Sequence, residues 1–150
     1  MMRIIFAALL IMFTSLPVLA YQVPPVVDKA TKAECGACHM VYPAALLPSR
    51  SWDAIASDLA NHFGEDASLD QAVVDGIKAY LTSNAGDVVG RGRGLIRGLP
   101  QDKTPLRITG LPLWLRIHGN FSPRTMKKIG VAGNCAFCHQ GAANGVFADD

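Results

Sequence analysis

Apolar positions recur at helical spacing through most of the chain. Between residues 51 and 64, Trp52, Ile55, Leu59 and His62 fall three, four and three apart, which is one face of a helix. Ser51 is placed to cap it, Asp53 lies in the first turn, and Gly64 stands at its stop. Ser68-Leu69-Asp70-Gln71 has capping-box form, and Leu69, Val73, Ile77, Tyr80 and Leu81 carry the same period toward Asn84. Leu111 to Gly119 reads as a short helix with proline in its first turn and glycine at its end, and Ser122-Pro123 opens another. No segment alternates as a strand would. The expected fold is mainly α, without substantial sheet.

Three stretches break the pattern. Residues 41–48 are apolar but bounded by prolines and read as an irregular loop. Residues 86–104 hold five glycines and the arginines at 91, 93 and 97 with no apolar period. They read as a linker between a first lobe at 21–85 and a second at 105–150, and their arginines as a solvated run, as partners of carboxylates on a bound group, or as a docking patch for an acidic partner. Residues 1–20 open on Arg3 and run apolar to Val18-Leu19-Ala20, the form of a secretory signal cleaved after Ala20, interrupted too soon for a membrane span. The mature protein is then expected in the oxidising periplasm.

Composition narrows the partners. The 150 residues suffice for one domain or two small ones, half are apolar, and the net charge is +2 without a long block of either sign. Nucleic acid is not an expected partner. Each lobe is too small to bury a comfortable core alone, so a bound group is expected at the centre of each.

The four cysteines and four histidines supply that group. Cys35-Gly-Ala-Cys38-His39 and Cys135-Ala-Phe-Cys138-His139 are both C-x-x-C-H, the signature of covalent haem c attachment. Two thiols at this spacing can add to the two vinyl groups on one porphyrin edge, and the adjacent histidine is carried under the iron. A zinc ribbon would need its two cysteine pairs far closer in sequence, and reactive disulfides would call for a thioredoxin-like unit that is not visible. Two haem c groups are therefore expected, with His39 and His139 as proximal ligands and the haem propionates as the carboxylates that the linker arginines could meet. His62 and His118 remain, one for each sixth position, with Met126 the runner-up to His118. Trp52 and Trp114 are candidates to pack on porphyrin.

These residues resemble the bacterial dihaem cytochrome c family (DHC). The resemblance rests on Glu34 to Met40, Tyr42-Pro43, Leu46-Leu47-Pro48, Ser51-Trp52 and His62 to Glu65 in the first half. In the second half it rests on Pro105 to Thr109, Trp114, His118, Asn134 to His139, Gly145 and Phe147. It implies two haem-centred lobes, the first similar to a class I cytochrome c and the second made of short helices and irregular loops. It also implies two low-potential haems with axial pairs His39–His62 and His118–His139. The implied partners are an oxygen-binding monohaem cytochrome and a membrane b-type cytochrome. Saturated irons would take no small-molecule substrate, so an electron carrier is expected rather than an enzyme. The rival is a dihaem peroxidase or haem reductase with one exchangeable iron.

Overall fold

Asp28 fixes where the first helix begins. Its carboxylate accepts from the Thr31 backbone N–H at 2.7 Å and from the Thr31 hydroxyl at 2.8 Å, so α1 (Lys29–Cys35) starts on a side-chain cap and ends on the first thiol of the first motif. The computed structural model containing this helix describes residues 21–90 and 93–148. The signal segment expected at 1–20, and Arg91 and Gly92 of the expected linker, lie outside the described residues.

The architecture is mainly helical. After α1 come α2 (Ser49–Ala56), α3 (Gln71–Ser83), α4 (Gly86–Val89), α5 (Arg93–Ile96), α6 (Pro112–His118) and α7 (Pro123–Ile129). Strand β1 (Tyr21–Gln22) pairs antiparallel with β2 (Val146–Phe147), Tyr21 opposite Phe147, so the two ends of the described chain meet. Among the described residues, no helix is long and apolar enough to cross a membrane.

Three local expectations are corrected. The helix expected over 51–64 is α2, which begins two residues earlier and stops at Ala56. Ser51 is buried inside it rather than capping it, because Asp87 reaches across from α4 to accept from the Ser49 N–H at 2.8 Å. The capping box at Ser68 does not form. Helix α3 starts at Gln71 after Asp70, while the Ser68 N–H is turned toward the Asp66 carboxylate at 2.9 Å. Residues 41–48 form the expected irregular apolar loop, with one 3₁₀ turn at Ala44–Leu46, and Pro43 to Pro48 are all buried. The stretch expected as a linker folds into α4 and α5 and buries Leu95.

The core is continuous across both halves. Leu46, Leu47, Trp52, Ile77, Leu81 and Ala85 join Leu95, Leu111 and Trp114 in one buried cluster. Polar ties add to it: Tyr42 Oη donates to the Gly133 carbonyl at 2.9 Å across the two halves, and the Arg50 guanidinium donates to the carbonyls of Lys103 and Pro100 in the intervening segment at 2.7 and 3.1 Å. Lys78 on α3 reaches Asp53 on α2 at 2.6 Å and the Ser57 hydroxyl at 2.8 Å, pinning the helix pair that underlies the first half.

Two candidate haem centres

At the first motif, α1 runs directly into Cys35, and the chain turns so that His39 emerges exposed. Its Nδ1 lies 2.7 Å from the Met40 carbonyl. His62 does not project from a helix, as its spacing suggested. A 3₁₀ turn at Leu59–Asn61 follows α2, Asn61 Nδ2 donates to Asp58 at 2.7 Å, and the Ala67 N–H closes on the Leu59 carbonyl at 2.9 Å. Within that loop Phe63 and Gly64 both have positive φ, 57° and 107°, giving a mirror-image turn from His62 to Glu65. The loop brings the half-buried His62 to His39: the ring centres are 6.2 Å apart and the planes 16° from parallel.

The second centre is built from α6 and the carboxyl-terminal motif. Pro112 opens α6 and Gly119 ends it at φ 61°, as the sequence predicts. His118 stacks on the buried Trp114 four residues before it, centroids 4.6 Å apart, and its Nδ1 lies 3.1 Å from the Trp114 carbonyl. Cys135–Phe137 forms a 3₁₀ turn that carries His139 inward, with Nδ1 2.7 Å from the Ala148 carbonyl just beyond β2. The His118 and His139 ring centres are 6.1 Å apart with planes at 90°.

Two imidazoles bonded to opposite sides of one metal, at about 2.0 Å per bond with ring centres about 1.1 Å behind each nitrogen, place those centres about 6 Å apart. Both pairs have this separation. In His39, His118 and His139 the Nδ1–carbonyl contact makes Nδ1 the protonated nitrogen and leaves Nε2 the lone pair that could bind iron. Burial, His39 and Arg107 lower the His62 pKa, which favours the neutral, donating ring.

The thiols suit covalent attachment. In each motif the first cysteine is half-buried and the second exposed, and none of the four is in a disulfide. Burial raises the Cys35 and Cys135 pKa values, keeping those groups as thiols. Among the described residues no three His, Cys, Asp or Glu side chains gather as a protein-only metal site. Met126 is half-buried on α7. Trp52 is buried with Nε1 donating to the Ala44 carbonyl at 2.6 Å, whereas Trp114 lies directly against a candidate ligand.

Aromatic neighbours of the histidines escaped the sequence reading. Tyr42 lies beside His39 (5.1 Å), Phe63 beside His62 (4.8 Å), Phe121 beside His118 (6.1 Å) and Phe147 beside His139 (5.8 Å). Arg107 sits over the Phe63 ring at 4.1 Å. Tyr42, Phe63 and Phe147 stand among the residues that carry the family resemblance, whereas nothing local to Phe121 marks its place beside His118.

A family model for dihaem cytochrome c (DHC) matches residues 31–147. A dihaem cytochrome c from Rhodobacter sphaeroides is 55% identical, with a TM-score of 0.77 over 83% of this chain and 100% of that one. The crystal structure of DHC purified from Rhodobacter sphaeroides is 50% identical, with a TM-score of 0.70 over 82% and 99%. The dihaem cytochrome sb-DHC from Shewanella baltica OS155 is 37% identical, with a TM-score of 0.64 over 80% and 86%. No match is found among curated proteins. With both attachment motifs inside the matched region, this chain belongs to the dihaem cytochrome c family, an electron-transfer family, and carries two covalently bound haem c groups.

Proposed function

We propose that the protein is a periplasmic electron relay whose two irons are each closed by two histidines, His39 with His62 and His118 with His139. The observation that carries this reading is the pair of histidine separations, 6.2 and 6.1 Å. When bound, haem iron supplies a one-electron couple. The chain's residues hold that couple in a fixed ligand field: Trp114 and the carbonyls of Met40, Trp114 and Ala148 fix ring orientation and tautomer. Two neutral imidazoles favour the ferric state more than a methionine opposite histidine would, so both potentials are low. His118 is assigned over Met126 because its ring is the one paired with His139.

A relay of this kind hands single electrons to a redox-partner cytochrome, such as an oxygen-binding monohaem cytochrome, and a membrane b-type cytochrome suits the role of donor. The apolar leader at 1–20, ending at Ala20, would deliver the chain to the periplasm. Pyridine haemochrome analysis should return two haem c per chain. Carbon monoxide added at modest concentration to the fully reduced protein should leave its visible spectrum unchanged. Binding to either haem would favour a peroxidase or reductase with an exchangeable iron.

A further inference from the structure

The two halves of the chain carry opposite charge. Residues 21–85 hold eight carboxylates against four cations, whereas residues 105–148 hold five cations and no carboxylate, with acids resuming only at Asp149. Three of those cations, Arg124, Lys127 and Lys128, are spaced i, i+3, i+4 on α7 and therefore share one face. All three are exposed, and none has an anionic partner among the described residues. The opposite face is anchored by the buried Ile129.

Helix α7 is tied at both ends to residues that flank the second haem centre. It begins at its cap Ser122, one residue after Phe121, whose ring packs on Trp114 and His118. Past its end, Asn134 Nδ2 donates to the Ile129 carbonyl at 3.0 Å, which holds the entry to Cys135 against the helix. Val131, 64% exposed, and Phe137, 54% exposed, flank that junction. A small apolar patch edged by unpaired cations beside a redox centre is the surface that a weak, steered protein encounter uses.

We infer that the α7 face of the second half is the docking surface for an acidic redox-partner protein, so that electrons exchange with that partner at the His118–His139 haem. This rests on the relay reading and adds where the partner binds and what charge it carries. The partner's carboxylates would meet Arg124, Lys127 and Lys128. The acidic first half would repel the same surface, orienting the encounter before contact.

The test is stopped-flow oxidation of the fully reduced holoprotein by two ferric monohaem cytochromes c, one of net negative and one of net positive charge. Two variants change the net charge equally: Lys127→Glu with Lys128→Glu on α7, and Lys29→Glu with Lys32→Glu on α1, also exposed and beside the first motif. At low ionic strength the α7 pair should slow oxidation by the acidic cytochrome about tenfold, with the loss fading near 0.5 M salt. The α1 pair should slow it far less, and the α7 pair should not slow the basic cytochrome. Equal slowing by both pairs, or no slowing by the α7 pair, would overturn the inference. A potential shift of one haem in the α7 variant would also overturn it, by assigning the lysines to that haem. Failure of the relay reading would register separately, as a high-spin band in the wild-type visible spectrum.

Discussion

Each candidate ligand histidine has an aromatic neighbour, and His39, His118 and His139 also set Nδ1 against a backbone carbonyl. Trp114 stacks on His118 at 15° while its carbonyl receives Nδ1, so one residue sets both the tilt and the tautomer of the ring. Because a bonded pair of rings shares the ligand–metal axis, the angle between their planes is the twist about that axis. It is 16° in the first pair and 90° in the second. Parallel imidazoles donate into one d orbital and split it from its neighbour, whereas crossed imidazoles act on both and leave them close in energy. The oxidised protein should therefore give two distinct low-spin signals in electron paramagnetic resonance, the more anisotropic one from the second centre. His118→Ala should abolish that signal and allow one carbon monoxide per reduced chain, and His62→Ala should do the same to the other. If Met126 were the ligand, Met126→Ala would open the second iron and His118→Ala would not.

At the scale of elements, short pieces are held by long-range contacts. Strand β2 is only two residues long, yet it precedes the carbonyl that orients His139, and its register against β1 depends on Gly145. Gly145 has φ 77°, and a Cβ there would collide with the Val23 carbonyl. Gly145→Ala should cost about 1–3 kcal/mol and loosen the second centre before the first, read as carbon monoxide binding to one haem below the global melting temperature. Tyr42→Phe removes the hydroxyl bond to Gly133 across 91 residues. It should cost about 1 kcal/mol and lower Tm by about 2–4 °C.

This scale also explains what the sequence could and could not reveal. Helix α6 was legible because Pro112 and Gly119 mark its ends locally, and α7 because Ser122 caps it, accepting from the Thr125 N–H at 3.1 Å. The His62 segment was misread because its periodicity is helical, while the competing structure is a loop closed by Ala67 and a positive-φ pair that no spacing announces. The start of α2 is not marked locally, because the carboxylate that accepts its first N–H, Asp87, lies 38 residues away. Identities of the haem thiols and histidines need only the motif. Partners such as Phe147 and the Ala148 carbonyl exist only once the chain ends meet.

Across the whole molecule, a single buried cluster joins both halves, but the histidine surroundings remain apolar and open. Phe63, Leu115 and Ile117 are exposed around the two centres, surface that attached macrocycles would cover. The protein-only core is small for this chain length, so the haems should contribute much of the folding free energy. A variant with all four cysteines replaced by alanine should lose most of its helical circular dichroism at room temperature. A native helical spectrum would show that the polypeptide folds without its cofactors.

The central claim is that neither iron keeps a free coordination site. Low-temperature electron paramagnetic resonance of the fully oxidised wild-type protein, integrated against its haem content, tests it most directly. The account predicts that low-spin ferric signals integrate to all of the haem, with no high-spin signal. A high-spin component amounting to a substantial fraction of one haem per chain would contradict it.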